Sequence, residues 1–237
     1  MPAARLKFGR VPAVVRAVAA ATLAMSGFLA SSIGTEAAGT YRVLPVPLYR
    51  QTHGLSCEAA ALQMALAYRG VRTTQNNILG AMGIDWRQPV NDSTGFHWGD
   101  PNTNFVGNPD GSEIKMTGYG TYWPVVRKVA LQTGVRLLGA GGGIAPSTVY
   151  NSILQGHPVV VWVSFDWRWH PLTWYTAFDG ALVPFGSPFE HAVTVVGVSS
   201  GYVLINNPWN GGRQQWIAKS TFAAAYLTFG QSGIIFR

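Results

Sequence analysis

The sequence predicts an α+β fold in which helices come first and a mainly antiparallel sheet follows. From Cys57 onward, apolar residues recur with the period of a helix until Gly70, where the helix would stop. Residues 159–165 form an almost continuous apolar run, which is typical of a central strand. Residues 191–198 and 202–207 read as two further strands, and the turn residues between them predict a hairpin.

The remaining elements follow from proline, glycine and periodicity. Residues 39–50 are expected to be extended because they contain two prolines and several β-formers. Residues 83–121 form a long irregular insertion rich in Gly, Asn, Asp and Pro, and residues 166–190 form a long loop with several Trp. Further helices are predicted at residues 74–82, 124–133, 147–154 and 219–226, and further strands at residues 135–138 and 234–236, the last of these at a sheet edge.

The composition is that of a globular protein without a nucleic-acid surface. The 237 residues are 48% hydrophobic and only 11% charged, which excludes a disordered chain. The formal net charge is +7, but four of the 17 basic residues and one of the 10 acidic residues precede residue 41, which leaves 13 and nine. The remaining basic residues are scattered, so we expect no nucleic-acid partner.

Residues 1–38 have the pattern of a targeting segment. Four basic residues come first, an uncharged and mostly apolar run covers residues 17–30, and small residues follow up to residue 39. This pattern predicts a signal peptide that is cleaved near Ala38, with an uncleaved anchor formed by residues 11–34 as the alternative. The remaining domain, residues 39–237, is then secreted or extracytoplasmic, and would touch a membrane only through an uncleaved N-terminal segment.

Cys57 is the only cysteine, so the chain has no intramolecular disulfide. Ser56 is a good N-cap residue, which places Cys57 at the start of the predicted helix. Unpaired backbone N–H groups and the helix dipole stabilise an anion there, so we expect a lowered thiol pKa. The alternative is a buried cysteine that packs as a small hydrophobe.

The predicted hairpin brings a base and an orienting group together. If the turn centres near residue 200, paired residues have numbers that add up to about 398 to 400, so His191 and Asn207 lie at the same end and share a face. An imidazole near the thiol, with an amide oxygen to fix its tautomer, is what a cysteine nucleophile requires. The alternatives are a core histidine at residue 191 and a turn that begins at Asn207, before Pro208.

An acyl-transfer site also needs donors for the oxyanion. The backbone N–H of Cys57 is one candidate, and the side chain of Gln51, six residues upstream, is the second, although Gln51 could equally be a surface residue. We expect no metal or cofactor. The acidic stretch that begins at Asp100 lacks the Gly and Glu of a calcium loop, and the pair His53 and Cys57 has no further ligands.

The order of these motifs resembles the C39-like cysteine peptidase family, which has a papain-like fold. The motifs are Gln51, five residues and Cys57; His-Ala-Val-x-Val-x-Gly from His191; and Asn-Asn-Pro up to Pro208. The likeness extends over nearly all of residues 43–227. It implies a helix that bears the cysteine and packs on a mainly antiparallel sheet. It also implies Cys57 as nucleophile, His191 as base, Asn207 as orienting residue and Gln51 in the oxyanion hole.

Two positions depart from the family pattern. Glu58 and Ala59 stand where the family often has Gly-Pro, and Asn207 stands where it often has Asp. An acidic residue after the nucleophile suits a helix N-terminus but opposes a thiolate. A neutral Asn207 stabilises an imidazolium less than a carboxylate would.

We therefore expect an exported cysteine peptidase that cleaves peptide bonds through a thioester on Cys57. Its partner would be a peptide or protein substrate, with the insertion 83–121 and the Trp-rich loop 166–175 as cleft walls. Two alternatives remain open. One is a non-catalytic module that binds cell-wall sugars or peptides through exposed aromatic residues, and the other is a thiol acyltransferase. The sequence does not indicate an oligomeric state.

Overall fold

A computed structural model describes residues 41–237 of the chain, and the predicted N-terminal segment 1–38 lies outside these described residues. The described part contains five helices and fourteen strands. None of these helices combines the length and the apolar character needed to cross a bilayer.

The helices lie where the sequence predicts them. Each predicted end agrees with the structure to within two residues. The helices are α1 (Cys57–Tyr68), α2 (Gln75–Met82), α3 (Trp123–Gln132), α4 (Pro146–Leu154) and α5 (Lys219–Thr228).

The strands form one large sheet and three small ones. In chain order they are β1 (Arg42–Val43), β2 (Ile84–Asp85), β3 (Val90–Asp92), β4 (Gly95–His97), β5 (Phe105–Gly107), β6 (Gly118–Gly120), β7 (Leu137–Gly141), β8 (Val159–Ser164), β9 (Thr173–Thr176), β10 (Leu182–Phe185), β11 (Glu190–Val198), β12 (Tyr202–Asn207), β13 (Arg213–Ala218) and β14 (Gly233–Phe236). The large sheet has the order β13-β12-β11-β8-β14-β7, and β1 pairs with β11 beside it.

Helix α1 packs on this large sheet, in which every strand pair is antiparallel. Its residues are buried on almost every side, as expected for a helix that is apolar all round. The hydroxyl of Thr194 on β11 donates a hydrogen bond to the carbonyl oxygen of Ala61 in α1, at 2.9 Å. The predicted fold class is therefore confirmed: it is α+β, with the cysteine-bearing helix packed on a mainly antiparallel sheet.

The hairpin of β11 and β12 has the predicted register toward its open end, where His191 and Asn207 lie. Thr194 pairs with Asn206 and Val195 with Ile205, so the paired residue numbers add up to 400. A bulge between Val195 and Gly197 shifts the register near the turn. The bulge lies on the turn side of these pairs, so it does not disturb the open end of the hairpin.

Two strands of the large sheet differ from the prediction. Strand β14 lies between β8 and β7, so the prediction of an edge strand at residues 234–236 was wrong. Its residues are all buried, which fits an interior position. Strand β13 was not predicted, because its side chains are polar or partly exposed. This strand, rather than β14, forms one edge of the sheet.

The two long segments predicted as irregular contain short strands. The insertion 83–121 holds β2, β5 and β6 in one small sheet and β3 and β4 in another, and its residues Trp98 and Tyr119 are fully buried. The loop 166–190 contains the hairpin of β9 and β10. Runs this short carry too little periodicity to be recognised in the sequence.

A hydrogen-bonded link joins the insertion to the large sheet. The indole N–H of Trp162 on β8 donates to the carbonyl oxygen of Thr121 at 2.9 Å, and both residues are fully buried. The backbone N–H of Thr121 in turn donates to Oε1 of Glu58. The sheet, the insertion and the start of α1 are thereby connected through a single residue.

Trp162→Phe should weaken this link without emptying the core. The carbonyl of Thr121 would lose its donor while it stays buried, so we expect the free energy of unfolding to fall by about 1–3 kcal/mol. Urea unfolding followed by circular dichroism measures the change. Trp169→Phe is the matched control, because Trp169 is 55% exposed. Equal stability of the two variants would contradict this account of Thr121.

Candidate active site

Cys57 is the first residue of α1 and is buried, with 5% of its surface exposed. Ser56 is the N-cap residue, as predicted, but its hydroxyl makes no capping bond and accepts from the N–H of His53 instead. The thiol lies 3.4 Å from Oε2 of Glu58 and 3.9 Å from Oε2 of Glu190, and the backbone N–H of Ala192 donates to Sγ at 3.4 Å. Two carboxyl groups therefore face the sulfur directly.

His191 and Asn207 meet at the open end of the hairpin. Nε2 of His191 lies 2.9 Å from Oδ1 of Asn207. The backbone N–H of Trp209 donates to the same oxygen at 3.0 Å, which fixes the orientation of the amide. Since Oδ1 can only accept, Nε2 carries the proton and Nδ1 of the neutral ring is the nitrogen with a free lone pair.

Gln51 lies at the site, but its amide nitrogen is already engaged. Nε2 donates to the carbonyl oxygens of His53 at 2.9 Å and Gly54 at 2.7 Å. Within the described residues its Oε1 is buried without a hydrogen-bond partner. In this conformation the side chain presents an acceptor, so a donation to an oxyanion requires one of its two bonds to be released.

One cavity of about 350 Å³ is lined by Gln51, Cys57 and His191. Asn207 is not part of this lining, and it contacts His191 through the hydrogen bond to Nε2. Among residues 41–237, no hydrogen bond joins the thiol to the imidazole; the sulfur contacts the carboxyl groups and Ala192 instead. The structure thus brings the four predicted residues to one place. Their catalytic roles remain predictions.

The walls of this cavity only partly match the prediction. The insertion contributes Gly111, Ser112, Glu113, Ile114 and Tyr119. The tryptophans of loop 166–175 do not line the cavity, which is bounded instead by Phe165, Pro188 and Trp209. Trp174 faces a second cavity of about 330 Å³ with Trp123 and Leu172. The prediction that the Trp-rich loop forms a wall of this cavity was therefore wrong, and Trp174, which lies in β9, lines the second cavity instead.

Two buried carboxyl groups, Glu58 and Glu190, and the partly buried Glu113 surround the site, and only Glu58 was identified from the sequence. Burial raises the pKa of Glu58 to about 7, although hydrogen bonds from backbone N–H groups oppose the shift. Burial raises the pKa of Glu190 well above its ordinary value, and the charges of Glu58 and Glu113 add to the effect. Burial and the charge of Glu58 raise the pKa of Glu113 to about 8. A signal was available, since Glu190 directly precedes His191 at the start of an apolar strand.

The prediction of a lowered thiol pKa was wrong. Burial raises the pKa of Cys57 well above its ordinary value, and the charges of Glu58 and Glu190 raise it further. Burial lowers the pKa of His191 to about 4, against the opposing effect of Asn207. At neutral pH the resting site therefore holds a neutral thiol and a neutral imidazole.

The described residues contain one group of three possible metal ligands that lie close together. The ligand atoms of Cys57, Glu58 and Glu190 are all within 4.8 Å of one another. A thiolate and two carboxylates can hold a divalent cation such as Zn²⁺. Such an ion would occupy the sulfur and would block it as a nucleophile.

The two motifs that the sequence analysis set aside as metal sites have other partners. Oδ1 of Asp100 accepts from the backbone and side-chain N–H groups of Asn102, at 2.8 and 2.9 Å. His53 contacts Asp110 and Asn76. These contacts form a local turn and a surface ion pair.

Glu113→Gln should change how stability depends on pH. The pKa of Glu113 is raised from 4.5 to about 8 in the folded protein. Its contribution to folding stability is therefore fully present below pH 4.5 and is lost as the pH rises through about 8. Gln cannot ionise. The free energy of unfolding of the variant, relative to that of the wild type, should therefore rise by up to about 1.4 kcal/mol per pH unit across this window. Urea unfolding at several pH values measures the gain. Ser112→Ala, in the same cavity wall, is the control, and a pH-independent difference for Glu113→Gln would contradict the assignment.

Comparison with known proteins places the chain in a family. The Peptidase_C39 like family matches residues 43–234. YvpB, an uncharacterized protein of Bacillus subtilis (strain 168), is 27% identical over 208 residues, which cover 84% of this chain and 78% of YvpB. The crystal structure of a candidate C39-like peptidase from Bacillus anthracis superposes with a TM-score of 0.70 at 23% identity, over 82% of this chain and 96% of that one. The chain belongs to the Peptidase_C39 like family and has the fold of a cysteine peptidase.

Proposed function

We propose that this protein is an exported cysteine peptidase that hydrolyses peptide bonds through a thioester on Cys57. The observation that carries the proposal is the hydrogen bond between Nε2 of His191 and Oδ1 of Asn207, from which the tautomer of His191 follows. Nε2–H is held by Asn207, whose orientation is fixed by Trp209, so the basic nitrogen Nδ1 remains for a proton from the thiol. Family membership supports the same chemistry.

Acylation begins when Nδ1 of His191 takes the proton of the Cys57 thiol. The sulfur attacks the carbonyl carbon of the peptide, and the carbonyl electrons move to the oxygen. The N–H of Cys57, which has no partner within its own helix, can donate to this oxyanion. Collapse of the intermediate expels the amine, which receives the proton from His191 and leaves a thioester.

Deacylation uses the same base. Nδ1 of His191 removes a proton from water, and the resulting hydroxide attacks the thioester carbonyl. The C–S bond breaks, the carboxylic acid leaves, and the proton returns from His191 to the sulfur. Gln51 serves as a second oxyanion donor in this scheme once it releases His53 or Gly54.

The carboxyl groups of Glu58 and Glu190 influence the proton transfer from Cys57 to His191. When protonated, Glu190 is a neutral acid that can donate its O–H to the developing thiolate. When ionised, the same group opposes the thiolate and favours the imidazolium. The protonation of Glu58 and Glu190 therefore sets how easily the proton moves from sulfur to nitrogen.

One observation favours a second candidate, a non-catalytic peptide-binding module. The thiol and the imidazole are both neutral at rest, and they share no hydrogen bond in the described part of the chain. Such a module would keep the cavity and use it for binding alone. The two candidates differ in whether product appears.

Hydrolysis of a complex peptide mixture, with new termini detected by mass spectrometry, tests the proposal. Cys57→Ala should abolish cleavage. His191→Ala should lower kcat/KM by about 10²–10⁴-fold, which is the typical rate contribution of a general base. His97→Ala is the matched control, because His97 contacts Thr94 and Thr176 away from the cavity, and it should retain activity. Cleavage that survives in Cys57→Ala would refute the mechanism, and no cleavage by the folded wild type would favour the binding module.

Export is proposed from the basic and apolar pattern of residues 1–38. The full chain, expressed in a bacterial host, should be recovered outside the cytoplasm with a new N-terminus near Gly39. Intact mass and N-terminal sequencing check this. An intact chain that starts at Met1 in the membrane fraction would support the anchor instead, and an intact chain in the cytoplasm would contradict both forms of export.

A further inference from the structure

The cavity at Cys57 gathers buried acceptor atoms that no donor satisfies. Oε1 of Gln51, Oε2 of Glu113 and Oε1 of Glu190 are all buried and without a hydrogen-bond partner among the described residues. All three residues line this one cavity, and Glu190 as a whole is only 5% exposed. When the two carboxyl groups are ionised, all three of these atoms are hydrogen-bond acceptors, so the site suits a ligand that donates.

Among the described residues, the same cavity has no positively charged partner. No Lys or Arg of residues 41–237 lines the cavity, and the four ion pairs in this part of the chain all use aspartates at other places. Three of the four glutamates in the chain nevertheless face the site, although the formal net charge of the chain is +7. Burial disfavours the ionised form of these carboxyl groups as long as they lack a partner, and a bound cation would stabilise that ionised form.

The chemistry of the acceptors and walls indicates which cation fits. A primary ammonium offers three N–H donors and no acceptor, which matches the three unsatisfied oxygens in number. The aromatic side chains of Tyr119, Phe165 and Trp209 line the same cavity and suit an alkyl chain or the cation itself.

We propose that Gln51, Glu113 and Glu190 form a subsite for the primary ammonium of a peptide, next to the thiol of Cys57. The ammonium comes from a lysine side chain or from a free N-terminus. The inference rests on the proposed function in that it names the substrate class of the same site. Binding of the ammonium requires no reaction at the sulfur, so it can be measured separately.

The test measures peptide binding to the Cys57→Ala protein by calorimetry. The probes are alanine-based hexapeptides: an acetylated set with one lysine at each position in turn, the same set with norleucine, and the norleucine set with a free N-terminus. Norleucine differs from lysine only in its lack of the ammonium. At one position or more, a lysine peptide or a free-amine peptide should bind at least about tenfold more tightly than its acetylated norleucine twin, because hydrogen bonds between charged groups are stronger than those between neutral groups. The set that shows the preference identifies the source of the ammonium.

Two variants assign the preference to the subsite. Glu113→Gln and Glu190→Gln, each in the Cys57→Ala protein, should reduce the preference toward unity, whereas Asp179→Asn, which removes an exposed carboxylate elsewhere, should keep it. Equal affinity for all the peptides, or no binding of any of them by the folded protein, would overturn the subsite. A clear preference in Cys57→Ala together with no hydrolysis by the wild type would refute the peptidase and retain the subsite.

Discussion

The carboxyl group of Glu58 is the contact on which the arrangement of the site depends. One oxygen accepts the backbone N–H of Thr121 and the other lies 3.4 Å from the sulfur of Cys57. The insertion approaches α1 closely at this point because Gly120 has no side chain and a φ of +137°; a Cβ there would collide with Oε1 of Glu58. The nucleophile is therefore positioned by its neighbour in sequence and by a segment more than 60 residues further on.

Burial decides the electrostatics of the site. A helix N-terminus stabilises an anion by roughly 0.3–2 kcal/mol, whereas removing a charge from water costs several kcal/mol per ion. The second effect is larger, and the charges of Glu58 and Glu190 act in the same direction, so the pKa of Cys57 is raised rather than lowered. The resting site holds a neutral thiol and a neutral imidazole, and burial favours the protonated form of its carboxyl groups.

Much of this arrangement could be predicted from the sequence, and the wrong or missing predictions have physical reasons. The register of β11 and β12 followed from the turn alone, and it correctly placed His191 beside Asn207. Glu113 could not be placed, because its burial arises from contacts between segments far apart in the chain, whereas the position of Glu190 directly before His191 was a usable signal. Strand β14 was assigned to an edge because a short apolar run does not reveal which neighbours it has.

The pH dependence of Cys57 alkylation by iodoacetamide tests the account most directly. If burial and the charges of the nearby carboxyl groups hold the thiol in its neutral form, the alkylation rate in the wild type should rise with a midpoint above the ordinary thiol pKa of 9.0. Glu190→Gln removes one of these charges and should bring the midpoint down toward that value. A wild-type midpoint below 9.0, unchanged in Glu190→Gln, would mean that the helix N-terminus governs the thiol and would contradict the account.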